Sequence, residues 1–271
     1  MTNPTLWNQI LIWPILNLLI AIYKAYSLIL LPGAFGFAII TLTLLIRVIV
    51  SPLTKTQLKS AQKMSQLKPK LDELTKKHKE DKVKLQQAQM QLYKDAGVNP
   101  AAGCLPTLVQ IPLFIALYSV FGLVLGSKAG SPVLTDASRA ALIESINKIL
   151  YHPALHINKL DLSFFGLNLA SRPNEWKAIG IGLLLIPVVT GLLQYLQTKM
   201  MLPASKPKQP GEEEDQMVAM QKQMGLIMPV MIGYFAFSFP IGLALYWNTF
   251  TLFGIMQQLQ LNRKSTAITL R

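Results

Sequence analysis

One arginine lies where the sequence otherwise excludes charge. Arg47 follows the apolar run from Phe35 to Ile46 and precedes Val48-Ile49-Val50. An arginine at the centre of a membrane helix costs ~2.5–3.5 kcal/mol on insertion scales. Two arrangements relieve that cost. The side chain can snorkel to the headgroups, because Arg47 is near one end of its apolar run. Alternatively it can face a wet interior within a helix bundle. No carboxylate occurs in any of the long apolar runs, so an acidic partner is missing there. Candidate polar neighbours in those runs are Thr41, Thr43, Gln110, Gln194, Tyr246, Trp247 and Asn248. Each is costly against lipid, and together they could line one polar interior around Arg47. The same shortage of acids argues against a proton-relay pump or a cation transporter, which use Asp, Glu or His.

Other chemistry finds no support. The sequence has no GxxxxGK[ST] phosphate cradle, no HExxH and no GxSxG elbow. His152 and His156 are four residues apart, but Pro153 lies between them and two ligands are too few for a structural zinc site. The single Cys104 is in an apolar context and reads as a buried, inert thiol. Gly122 and Gly126 have a weak small-xxx-small spacing. The expectation is therefore a non-enzyme with no catalytic residues, no metal and no cofactor.

The elements that must position Arg47 follow from the distribution of charge. The 271 residues are 51% hydrophobic and only 14% charged, whereas soluble domains carry about 25% charge. Charge is absent between Lys24 and Arg47, between Asp95 and Lys128, between Lys177 and Lys199, and between Lys222 and Arg263. Each gap accommodates the ~20 residues of a spanning helix. The last is long enough for two, with a turn at Phe239-Pro240-Ile241-Gly242. The expected core spans are 35–54, 104–126, 177–198, 224–239 and 241–261. The stretch 5–31, which holds Trp7, Trp13, Tyr23 and Tyr26, reads as a helix in the outer interface, with a true span as its rival.

Segment 55–95 carries 11 of the 26 Lys and Arg and should be cytoplasmic. Five spans then put loop 128–176 outside, the linker 199–222 and the tail 262–271 inside, and the N-terminus outside. The positive-inside pattern explains the net charge of +13 with fewer assumptions than nucleic-acid binding. Apolar residues at helical spacing in 55–95 (Met64, Leu67, Leu71 and Leu74, then Val83, Met90 and Tyr93) suggest a cytoplasmic helical hairpin, with Pro69 kinking its first arm or near its start. Residues 203–215, rich in proline and acids, read as a linker, and a short helix is expected around 138–150.

Three blocks resemble the YidC/Oxa/Alb family of membrane-protein insertases. The first is Arg47 with Ser51-Pro52-Leu53 downstream. The second runs from Asn99-Pro100-Ala101-Ala102-Gly103-Cys104-Leu105-Pro106 through Gln110-Ile111-Pro112. The third is Phe239-Pro240-Ile241-Gly242-Leu243-Ala244-Leu245-Tyr246-Trp247. The resemblance covers roughly residues 5–262. It implies an all-α polytopic protein in which five core helices surround a hydrophilic groove open to cytoplasm and lipid. Arg47 would be the groove arginine, with Thr43, Tyr246 and Trp247 facing clients and Gln194 and Gln110 completing the polar lining.

Partners implied are nascent membrane-protein clients and the phospholipid bilayer, with a ribosome and a Sec-type translocon as further candidates. Set beside the longest members of that family, this chain is expected to have no large external domain, and its short tail argues against ribosome docking through a long basic extension. With no Arg/Ser-rich transit segment before the first helix, a bacterial plasma membrane is the expected location. The residues alone leave three readings open: an insertase, a channel or small-solute carrier, and an assembly scaffold working beside a translocon.

Overall fold

The computed structural model describes residues 3–78, 81–97, 105–125, 136–201 and 216–269. The linker 203–215, the segment 99–104 with its Cys104, and Gly126 lie outside the described residues. The chain is mostly helical. In order it has α1 (Trp13–Leu28), α2 (Ala34–Lys77), α3 (Lys82–Asp95), α4 (Leu105–Val124), α5 (Asp136–Asn147), a two-stranded hairpin β1 (Ser163–Phe164) and β2 (Leu167–Asn168), α6 (Trp176–Ile179), α7 (Leu185–Met201), α8 (Gln216–Ser238) and α9 (Ile241–Thr269). Among the described residues three stretches are long and apolar enough to cross a bilayer: 8–28, 34–56 and 181–200. Two shorter apolar helices, 110–124 and 225–238, accompany them. α9 does not qualify by its own composition, because Tyr246, Trp247, Asn248, Gln257 and Gln258 interrupt its apolar residues.

α2 departs from the expected pattern. The first arm of the hairpin is no separate helix: α2 runs unbroken from the apolar run into the charged segment, with Pro52 and Pro69 inside it. At 1.5 Å per residue its 44 residues extend about 66 Å, roughly twice the ~30 Å of a hydrocarbon core. Each proline removes one intrahelical bond. Around Pro52 the Thr54 hydroxyl donates to the carbonyls of Ser51 (3.0 Å) and Val50 (3.4 Å), and that of Thr56 to Pro52 (3.1 Å). α3 begins at a capped end, where the Asp81 carboxylate accepts from the Lys84 backbone N–H at 3.0 Å. That bond holds the Asp81 carboxyl below its ordinary range, so the cap persists at neutral pH and is lost as the pH falls through the carboxylate range.

The apolar core lies at the end of the bundle that carries residues 146–183. Leu16, Leu19 and Ile20 of α1 meet Phe35, Ile39 and Leu42 of α2 and Leu117, Val120 and Phe121 of α4 there, with Ile146, Ile157 and Leu169 packed on top. α1 is preceded by a π-helical turn, Asn8–Ile12. This turn lies just before Pro14, whose ring would strike the Ile10 carbonyl in a straight α-helix. The polar face of α1 is taken up by protein. Asn17 donates to the Ile149 carbonyl (3.2 Å) and accepts from the Tyr151 N–H (2.7 Å). The Tyr23 hydroxyl accepts from the Asp161 N–H (3.0 Å), and the Lys24 ammonium donates to the carbonyls of Ala154 (2.6 Å) and His156 (2.9 Å). His152 caps the short turn after it, its Nδ1 accepting from the Ala154 N–H at 3.0 Å.

The β-hairpin pins the start of α2. Gly33, with φ 75°, precedes α2, and the Phe164 ring lies over Gly33 and Gly36. Phe164 also meets Phe37 edge-on at 5.3 Å between centroids. A Cβ on Gly36 would collide with the Phe164 ring. On the far side of the bundle α7 and α8 cross closely where Gly191 and Gly233 face one another, a Cβ on Gly191 falling 3.4 Å from the Pro229 carbonyl oxygen. Small residues allow this approach between apolar helices.

Gly36→Ala should lower the unfolding temperature in lipid nanodiscs, and Phe164→Ala alone should also destabilise, by less than the ~3–5 kcal/mol of a fully buried aromatic because the ring is only half-buried. In the double variant the glycine substitution should have little further effect, because its collision partner is gone. Additive losses in thermal unfolding would show that the two residues do not share this contact.

Candidate functional site: a polar set gathered on α9

α9 collects polar contacts from three neighbours. From α4, Gln110 Nε2 donates to the Tyr246 hydroxyl at 3.3 Å. From α7, Gln194 Oε1 accepts from the Trp247 indole N–H at 3.1 Å. From α2, Arg47 donates through Nε (3.1 Å) and Nη2 (2.6 Å) to the Phe250 carbonyl. Below Arg47, Gln257 Nε2 donates to the Ser51 hydroxyl at 3.0 Å, and Gln257 Oε1 lies 3.3 Å from the Thr54 hydroxyl oxygen. On α2 these positions are 47, 51 and 54; on α9 they are 250 and 257, with Gly254 between them against Arg47. Both series step by four and then three, so each lies along one helix face. Partner numbers rise together, so α2 and α9 run parallel.

Arg47 is only 4% exposed. Among the described residues no carboxylate pairs with it. Its guanidinium is held by a backbone carbonyl and by rings: its central carbon lies 3.4 Å from the Phe250 ring centroid and 5.8 Å from that of Phe253. Gly254 leaves the space, since a Cβ there would lie 2.7 Å from Arg47 Nη2 and would also strike the Gln197 side chain. A buried charge without a counter-ion persists only where dipoles and polarisable faces replace water.

Thr43 is fully buried and its hydroxyl donates to the Ile39 carbonyl at 2.6 Å. Tyr246 is 1% exposed, while Gln110, Gln194 and Trp247 are half-buried. The six candidate residues thus divide into an inner group of Thr43, Arg47 and Tyr246 and a more open group of Gln110, Gln194 and Trp247. Thr41 is turned elsewhere, its hydroxyl 2.7 Å from that of Tyr26 on α1. Asn248 Oδ1 and the Thr251 hydroxyl are buried and have no hydrogen-bond partner among the described residues. Beside Trp247 a small apolar cavity of about 20 Å³, lined by Phe114, Thr190 and Leu243 among others, separates α4, α7 and α8. Phe250, Gly254 and Gln257 escaped the sequence reading. Ser51 and Thr54, four and seven residues beyond Arg47, were the available signal for a polar seam continuing along α2.

A family model described as 60Kd inner membrane protein matches residues 27–267. The chain belongs to the YidC/Oxa/Alb family of membrane-protein insertases. It is 31% identical over 266 residues to a membrane protein insertase YidC of Oceanobacillus iheyensis, covering 97% of this chain and 86% of that protein. The similarity to YidC 1 of Halalkalibacterium halodurans is 30% over 256 residues, with 93% and 77% covered. An ALBINO3-like chloroplast protein of Arabidopsis thaliana is 32% identical over 240 residues, but the match spans only 44% of its length. A crystal structure of an active YidC insertase with its first transmembrane domain resolved matches 93% of this chain and 46% of that one, at 27% identity and a TM-score of 0.53. Family and apolar helices together make this a multi-pass protein of the bacterial inner membrane.

Gln110→Leu should strip the buried Tyr246 hydroxyl of its partner and destabilise the bundle by ~1–3 kcal/mol. Tyr246→Phe in that background should recover part of the loss, as read from thermal unfolding of the four-member double-mutant cycle. Equal losses in both backgrounds would mean the pair does not interact.

Proposed function

We propose that this chain inserts newly made membrane proteins into the bilayer, and that the polar set around Arg47 is the path taken by polar client segments. The observation that carries this reading is the buried guanidinium of Arg47, which among the described residues has no carboxylate partner and is held by a carbonyl and aromatic rings. A purely structural cation is normally matched by an acid. An unmatched one in low dielectric attracts an anionic or polar group strongly, so it would draw an acidic client tail partway across the membrane. Gln110, Gln194, Tyr246 and Trp247 would offer that tail hydrogen bonds in place of water. Thr43, on the same helix as Arg47 and one turn before it, would face the client once the inner group opens.

The client's apolar helix would then leave sideways into lipid, driven by ~25 cal/mol per Å² of buried apolar surface. Such a transfer requires no ATP hydrolysis and no cofactor. In this reading five helices, α2, α4, α7, α8 and α9, form the core. The groove is open to cytoplasm and lipid. The hairpin of α2 and α3 is cytoplasmic and receives clients, the N-terminus is outside and the C-terminus is inside. Clients and lipid are the necessary partners. Reconstitution with purified protein alone separates this from a scaffold that acts only beside a Sec-type channel, and adding ribosomes tests that partner.

Arg47→Ala should fold and reach the membrane, yet insert clients with acidic translocated tails about tenfold more slowly in proteoliposomes, while clients with short neutral tails insert as before. Unchanged insertion of acidic-tailed clients would refute the role of Arg47. Photo-crosslinkers at Thr43 and Trp247 should both capture a stalled single-span client; capture at neither, with normal insertion, would remove the polar set from the client path. Deleting 70–82 should impair insertion more than it lowers the unfolding temperature, as none of residues 70–78 is buried.

A further inference from the structure

Arg47 and Phe250 make an unusual pair. One residue supplies both the carbonyl that accepts from Nε and Nη2 and the ring that covers the guanidinium face, 3.4 Å from its central carbon. Guanidinium offers five N–H donors in a planar fork. The Phe250 carbonyl occupies two of them, on the Nε–Nη2 side. No described residue accepts from Nη1, so the Nη1–Nη2 edge keeps the geometry that receives a carboxylate through two parallel bonds. That edge is closed off, because the residue is 4% exposed. Gly254, one turn beyond Phe250, leaves the space in which the guanidinium lies.

We propose that Phe250 and Gly254 are positioning residues for Arg47: together they form a latch on α9 that parks its charge against the helix until a client carboxylate competes for it. The proposal rests on the reading of Arg47 as the client-attracting group and adds how its availability is set. The ring and the carbonyl stabilise the parked cation without neutralising it. A client acid offers a full counter-charge and displaces them. The latch thus sets a threshold: acidic tails pull Arg47 free, and neutral tails leave it parked. Substituting the ring weakens the parked state alone. A Cβ at Gly254 does the same by pressing on Nη2 and on the Gln197 side chain beside it.

The test is chemical labelling of arginine with phenylglyoxal on the full chain in lipid nanodiscs. The rate at Arg47 is read by peptide mass spectrometry against the exposed Arg139 of the same molecule. In the unaltered protein Arg47 should react far more slowly than Arg139. Phe250→Leu should raise the Arg47 rate about tenfold, the scale of a desolvated cation–π contact. Phe250→Tyr, which keeps the ring, should stay slow. Gly254→Ala should raise the rate without touching the ring, and it carries the test with Phe250→Tyr if Phe250→Leu fails to fold. An unchanged rate in folded Phe250→Leu, or in Gly254→Ala where it stands in, would overturn the latch. So would a Tyr variant as reactive as the Leu or Ala variant, since the ring face would then be irrelevant. Phe250→Leu should also lower the concentration at which acidic-tailed clients half-saturate insertion and leave neutral-tailed clients unaffected. The labelling outcome does not depend on the insertase reading: if Arg47→Ala inserts acidic clients normally, that reading fails while the latch is still judged by reactivity.

Discussion

A guanidinium taken out of water without a counter-ion has to be solvated by the fold itself, and that requirement organises much of this molecule. It demands a helix that can present a backbone carbonyl, a ring face and an empty volume close together. α9 meets the demand with Phe250 and Gly254. The same helix also carries Tyr246, Trp247 and Gln257, and the surrounding helices pair these three through hydrogen bonds. α2, α4 and α7 are thereby tied to α9 through hydrogen bonds instead of apolar contact alone. In a lipid environment, where apolar contact between helices gains little over contact with acyl chains, such bonds also fix which helices are neighbours.

The molecule is consequently uneven along its length. At the end carrying residues 146–183, apolar side chains from α1, α2, α4 and α9 interlock and loop backbone seals α1. Further along α2 and α9 the buried contacts become polar and the helices lose the loop cover. One end is thus held by apolar packing under loop cover, and the other by hydrogen bonds between helices.

Much of the polar set was legible in the sequence because each member broke an apolar run. Arg47, Gln110, Gln194, Tyr246 and Trp247 stood out by chemistry alone, and the structure brings them to one helix. What hid was anything whose role depends on shape. Phe250 reads as one more apolar residue until its ring is seen over a cation, and Gly254 contributes only the absence of a side chain. Thr41 and Thr43 read alike, yet helical rotation turns one toward Tyr26 of α1 and the other into the core. The continuity of α2 was hidden for another reason: proline and a change from apolar to charged residues both suggest a boundary, while a helix with its polar half in water needs none.

That continuity gives α2 the geometry of a lever. Its start is held by the Phe164 ring over Gly33 and Gly36, Arg47 lies about 20 Å along the axis, and the last residue about 66 Å. Taken as a stiff rod, with no bending at Pro52 or Pro69, a tilt about the held end that shifts Arg47 by ~1 Å sweeps the far tip through ~3 Å. In the other direction, a push of several ångströms on the tip of the hairpin arrives at the buried charge as a displacement comparable to the length by which a hydrogen bond is made or broken.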